Sequence, residues 1–128
     1  MTESTGMSLQ PLAGLRVLLV EDHWHLMEAL RLTIERSGGT VIAAAATLQE
    51  TERLVGRGGF DAVVMDLNLQ NEMATPLVER LSAGGIKVVL VTAYQVGPEL
   101  AHKVHDVLRK PTPPDVLIAA LARVGGRA

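Results

Sequence analysis

Short apolar runs that stop on polar residues recur along the chain. Val17-Leu18-Leu19-Val20 stops on Glu21-Asp22, Val63-Val64-Met65 on Asp66, Val88-Val89-Leu90-Val91 on Thr92, and Val107-Leu108 on Arg109-Lys110-Pro111. Continuous runs of β-branched and aliphatic residues mark strands buried on both faces. Between them the period changes. Leu26, Leu30 and Ile34, with Met27 alongside, are spaced as on one face of a helix over 23–37, closed by Gly38-Gly39. A strand is expected over 40–45. Thr47-Leu48-Gln49-Glu50 reads as a capping box for a helix that runs to about Arg57 and stops at Gly58-Gly59. After a central strand over 62–66, Thr75-Pro76 reads as an N-cap followed by proline at the first helical position, with Leu77, Val78 and Leu81 facing inward before Gly84-Gly85. A fourth strand covers 87–91. Thr112-Pro113-Pro114 opens a last helix whose Leu117, Leu121 and Val124 share a face. Between Thr92 and Lys110 the pattern thins: Gly97-Pro98 leaves room for barely two helical turns over 99–104, then a short fifth strand over 106–109.

Strand and helix in alternation, with near-continuous apolar strands, predict an α/β domain with a parallel sheet covered on both faces. Right-handed crossovers leave few topologies open. A length of 128 residues fits one domain. The reading is a flexible leader over 1–13, a folded domain over 14–125, and no output domain. Nearly half the residues are apolar, enough for a core, though only 2% are aromatic. A net charge of −2 argues against nucleic acid or an anionic membrane as partner. No apolar run approaches the roughly 20 residues of a membrane helix, and the polar N-terminus lacks the basic region of a secretory signal. With no cysteine, a disulfide scaffold and a thiolate metal site are excluded. The expected setting is cytoplasmic.

Ligands of open α/β sheets bind at the carboxyl ends of the strands, so the residues that end the four runs gain a common meaning. Three acids, a hydroxyl and an ammonium would meet at one rim. Glu21 and Asp22 are adjacent acids that repel unless a cation joins them, and clustered carboxylates suit Mg²⁺, which takes oxygen ligands and keeps several waters. A helix-capping role for the pair is the plainer alternative, as an ion pair is for Lys110 and a backbone-satisfying hydroxyl is for Thr92. Taken together the groups supply what phosphoryl transfer to an aspartate needs: a carboxylate nucleophile, metal-binding acids, a hydroxyl and a lysine.

These four motifs, in this order over 15–124, resemble the receiver domain of two-component response regulators. The resemblance implies a flavodoxin-like doubly wound five-stranded parallel sheet of order 2-1-3-4-5, here with a short or irregular fourth helix. It implies phosphorylation of Asp66, Mg²⁺ held by Asp22, Asp66 and the backbone carbonyl of Asn68, and Glu21 acting on the metal through water. Lys110, Thr92 and the amide of Ala93 would contact the phosphoryl group. The donor would be a sensor histidine kinase or histidine phosphotransfer protein, with an unknown downstream protein as target. The chain would act as a relay, a sink or a contact-based effector, catalysing only its own phosphorylation and dephosphorylation.

The chain departs from the family's usual pattern at three places. Gln70 and the residues over 71–74 replace the expected proline and glycine pair, so this loop should differ in shape. Val107 stands where a switch aromatic is usual, and the spacing from Thr92 to Lys110 is compressed. These features resemble a divergent group of stand-alone alphaproteobacterial receivers. Val107 is short and stiff at χ1, which makes Tyr94, in the poorly anchored segment before Gly97-Pro98, the expected moving ring. Two rivals are a pseudo-receiver that is never phosphorylated and a haloacid-dehalogenase-type phosphatase. The latter needs an acid two residues after its nucleophile, where Asn68 stands. The missing glycine fingerprint after the first strand excludes a dinucleotide site. His23, His25, His102 and His105 show no ligand spacing and are expected to be solvated, with His23 close enough to the rim to tune access to Asp66. Trp24 should be a partly exposed helix residue.

Overall fold

The computed structural model describes residues 10–70 and 72–125. Five parallel strands form the sheet: β1 (Arg16–Val20), β2 (Thr40–Ala45), β3 (Ala62–Met65), then β6 (Lys87–Thr92) and β7 (Asp106–Arg109), in the order β2-β1-β3-β6-β7. Counting only these strands, the order is the expected 2-1-3-4-5. Pairing puts Leu18 beside Val63, Val64 beside Val89 and Leu90 beside Val107. This brings the last residues of β1, β3 and β6 to one edge of the sheet. The interior strands are buried on both sides, whereas β2 at one edge alternates between exposed and covered positions.

Side chains alternate along each strand, so each strand feeds two cores. Val17, Leu19, Val64 and Val89 pack on one face with Leu117 and Leu121, beneath α1 (Trp24–Arg36) and α5 (Pro114–Ala122). Leu18, Val20, Val63, Met65 and Leu90 pack on the other with Leu77, Val78 and Leu81, beneath α2 (Leu48–Arg57) and α3 (Thr75–Ala83). Among the described residues no helix is long and apolar enough to cross a membrane.

Local signals explain most boundaries. Thr47 Oγ1 accepts from the Glu50 amide at 3.1 Å, and Glu50 Oε1 accepts from the amide of Ala46 at 3.0 Å. The capping box is therefore present, with its carboxylate bonded one residue outside the expected position. After α1 the chain turns at Gly38 with φ +96°, a conformation L side chains rarely adopt. Gly97-Pro98 confines α4 (Pro98–Lys103) to six residues, anchored by the buried Leu100.

Four expectations are corrected. Leu12 is fully buried in the first core and its amide donates to the Ser37 carbonyl at 2.8 Å, so residues 10–13 belong to the folded unit; residues 1–9 lie outside the described residues. Thr75 is the first residue of α3, not its cap: Ala74 takes that place without a side-chain bond. Leu26 is exposed, because at the N-terminal end of α1 it projects towards the rim and not onto the sheet. His105 is half-buried, with Nε2 3.2 Å from the Ala120 carbonyl.

Candidate functional site

Asp66 follows the last residue of β3 and is 6% exposed. The buried strand carries it to the rim, and its amide, donating to the Val20 carbonyl at 3.1 Å, continues the pairing with β1 one step beyond the strand. Its two oxygens are separately engaged. Oδ2 accepts from Lys110 Nζ at 2.8 Å, and Oδ1 accepts from the Asn68 amide at 3.1 Å. Lys110 follows β7, and its amide donates to the Thr92 carbonyl at 2.9 Å, which aims the chain back over the sheet. The following Lys110–Pro111 peptide is cis.

Lys110 also donates to Glu21 Oε1 at 3.0 Å. Glu21, 1% exposed, has its other oxygen 3.1 Å from the His23 amide and 3.2 Å from His23 Nδ1. A buried carboxylate with each oxygen paired is the arrangement that makes burial of the charge tolerable. Burial lowers the pKa of the Lys110 ammonium, but hydrogen bonds to and the charges of Asp66 and Glu21 outweigh it, leaving the pKa above its ordinary value.

Asp22 is held differently. Oδ2 accepts from the Gln70 amide at 2.8 Å, while the buried Oδ1 accepts no hydrogen bond, although His23 Nδ1 lies 3.3 Å away. Burial pushes the Asp22 carboxyl up; the amides of Gln70 and Asp22 and the influence of His23 outweigh it, and the group lies below the ordinary carboxylate value. A carboxylate kept ionised with one buried oxygen unbonded, beside a second carboxylate, is a donor set that fits a hard cation. Glu21, Asp22 and His23 offer ligand atoms that all lie within 4.8 Å of one another.

The Gln70 amide reaches Asp22 because of a feature the sequence pattern missed. β4 (Asn68–Leu69) and β5 (Glu72–Met73) form a small antiparallel hairpin, Asn68 opposite Met73, closed by the Ala74 amide on the Leu67 carbonyl at 2.7 Å. Gln70 has φ +50°, left-handed backbone for a residue with a side chain. The alternation Leu67-Asn68-Leu69 was the available signal, and both leucines are buried.

Asp22, Asp66, Asn68, Ala93, Tyr94 and Lys110 line one cleft of about 400 Å³, joined by Leu26 at its edge. Thr92 is fully buried, and its Oγ1 accepts from the Tyr94 amide at 3.0 Å, which is the backbone-satisfying role set out for it above. The Tyr94 hydroxyl accepts from Asn68 Nδ2 at 3.1 Å. Val107 lies half-buried against the second core, away from this cleft's lining. A larger hollow of about 790 Å³ opens at the other end of the sheet, where Arg16 pairs with Asp61 at 3.0 Å; it contains no comparable group of acids.

Comparison with known proteins agrees with this fold. The family described as "Response regulator receiver domain" matches residues 17–122. The alginate biosynthesis transcriptional regulatory protein AlgB of Pseudomonas aeruginosa is 31% identical over 114 residues, 84% of this chain and 25% of that protein. The chain thus spans about a quarter of the length of the curated relatives it matches. Among solved structures, a two-component response regulator of the LuxR family from Aurantimonas sp. SI85-9A1 is 31% identical at TM-score 0.75, covering 88% of this chain and 86% of that one. SdrG from Sphingomonas melonis Fr1 is 29% identical at TM-score 0.75, covering 90% and 98%.

Proposed function

The chain belongs to the response regulator receiver domain family, and on that premise we propose that it accepts a phosphoryl group on Asp66, assisted by Mg²⁺. The donor is the phosphohistidine of a sensor histidine kinase or a histidine phosphotransfer protein in the cytoplasm. The observation that carries this reading is the contact of Lys110 with Asp66 at 2.8 Å in the cleft where Asp22 keeps an oxygen free.

In the transfer, an Asp66 oxygen forms the new bond to phosphorus while the bond to the donor imidazole nitrogen breaks and its electron pair stays on the nitrogen. Asp22, Asp66 and the Asn68 carbonyl would hold the Mg²⁺, with Glu21 acting through water, and the ion supplies charge neutralisation on the phosphoryl oxygens. Lys110, already between the two acids, turns to a phosphoryl oxygen. The Ala93 amide and the Thr92 hydroxyl contribute hydrogen bonds. Since the Thr92 oxygen already accepts from Tyr94, its own proton is the one left to donate. The chain turns over no substrate beyond its own aspartate, and the phosphorylated state is read by a downstream protein.

Incubation with Mg²⁺ and acetyl phosphate or a phosphorylated donor should add one phosphoryl group to the intact mass of the wild type and none to Asp66→Ala. Labelling that survives the substitution would overturn the assignment. A wild type that no donor labels would favour an interaction module of the same fold.

A further inference from the structure

Three acids meet in the cleft, and they are not held alike. Both oxygens of Glu21 are bonded, to Lys110 and to His23, and so are both of Asp66, to Lys110 and to the Asn68 amide. Asp22 has one oxygen bonded: Oδ2 accepts from the Gln70 amide at 2.8 Å, and the buried Oδ1 accepts no hydrogen bond. Two of these bonds come from one short stretch of backbone. The Ala74 amide closes the β4–β5 hairpin on the Leu67 carbonyl at 2.7 Å, so the chain bonds into the hairpin at 67. Amides alternate in direction along extended chain. Those of Asn68 and Gln70 therefore point out of the hairpin, one to Asp66 and the other to Asp22. At Gln70 the backbone turns with φ +50°, a conformation that side chains disfavour. A strained residue whose amide meets a site acid is a reason to ask what the turn is for.

An aspartate beyond the end of a strand turns about its side-chain bonds unless something holds it, and a cation that recruits it must then fix it at a cost in entropy. A hydrogen bond from an amide to a carboxylate is charge-assisted and strong, and a backbone donor has no side-chain freedom of its own to lose. We propose that Gln70 is a positioning residue: its backbone amide fixes Asp22 by one oxygen and leaves the other open to the divalent cation, so that the hairpin and the metal site are coupled. The inference rests on Asp22 being a ligand of the Mg²⁺ site set out under the proposed function. The exposed Gln70 side chain has no part in it; the amide acts. Coupling of this kind is reciprocal, so a cation that holds Asp22 also holds the turn of the hairpin.

Calorimetric titration with Mg²⁺ compares wild type, Gln70→Ala, Gln70→Gly and a semisynthetic protein with a backbone ester in place of the Gln70 amide. Alanine and glycine keep the donor, and glycine also accepts the positive φ; the ester removes the donor and leaves the side chain. Both substitutions should stay within about twofold of wild-type affinity, and the ester should bind about tenfold more weakly. Amide exchange gives a second readout that does not depend on the ester folding. The Gln70 amide should be protected in metal-free wild type, slow a further few-fold with Mg²⁺, and exchange several-fold faster in Asp22→Ala. An ester variant that binds Mg²⁺ as wild type does, an equal loss of affinity in Gln70→Ala, or a Gln70 amide indifferent to both Mg²⁺ and Asp22→Ala would overturn the positioning role and leave the metal site standing. A wild type that binds no Mg²⁺ would overturn both.

Discussion

The floor and the rim of the cleft are built on opposite principles. On the floor, Glu21 and Asp66 are almost fully buried and Lys110 bridges them at 3.0 and 2.8 Å. At the rim, Tyr94, Leu26 and His23 are exposed, and the Asn68–Tyr94 bond is the tie between the loops after β3 and β6 described above. Charges interact most strongly where water is excluded, so the groups that must hold geometry sit deep. Groups with few buried contacts open at low cost, so the exposed rim is the part of the cleft that rearranges most easily.

The sharpest way to break this contrast is to remove the floor's cation. Lys110→Met leaves two buried carboxylates facing each other, and in the absence of metal it should cost about 2 kcal/mol of stability, less than a fully buried pair would lose. Saturating Mg²⁺ should recover part of that loss by binding only the folded state. Denaturant unfolding with and without Mg²⁺ measures both, and equal losses in the two conditions would show that the acids do not share a cation site. The pH dependence has a definite sign. The Lys110 pKa is raised on folding, so its contribution is complete below the unfolded lysine value and disappears as pH climbs through the folded one. The gap between wild type and variant should hold across neutral pH and narrow on the alkaline side.

A smaller effect separates floor from rim within the acid cluster itself. Asp22→Asn should weaken Mg²⁺ binding about tenfold or more, because it removes the charge behind the unbonded oxygen. Without metal, its depressed pKa stabilises the fold above the unfolded carboxyl value, a contribution lost as pH falls through the folded value. His23→Ala, losing an exposed ring whose Nδ1 braces Glu21, should change Mg²⁺ affinity by no more than about twofold, since Mg²⁺ favours oxygen over imidazole. Calorimetric titration decides, and the reverse ranking would move the metal to the histidine.

The gentlest perturbation probes the rim alone. On phosphorylation or beryllofluoride binding, amide exchange over 93–104 should slow a few-fold, and by more than exchange at Val107. Tyr94 lies over the cleft and α4 is only six residues long, whereas Val107 lies in a strand against the second core. Equal exchange in both states, alongside altered partner binding, would remove Tyr94 from the signalling route.

The alternation of strand and helix and the placing of Glu21, Asp22, Asp66, Thr92 and Lys110 at strand ends were legible in the sequence. Burial of a strand is written in its own residues, and the polar residue that ends an apolar run must come to its edge. Leu26 and Leu12 were misplaced because helical spacing and chain position do not say where a helix end or a leading segment lies against its neighbours. The contacts that shape the cleft lie beyond local pattern: Asp22 meets Gln70 across 48 residues, and Asn68 meets Tyr94 across 26. Both depend on a two-residue-strand hairpin and on the registers of β1, β3 and β6: the first uses a backbone amide that every residue type except proline possesses, and the second joins two side chains from different loops. The chain's own residues determined which groups reach the rim; the tertiary structure alone decided which carboxylate oxygen stays unbonded and which ring bridges the cleft, because those choices depend on distances between loops that no single segment encodes.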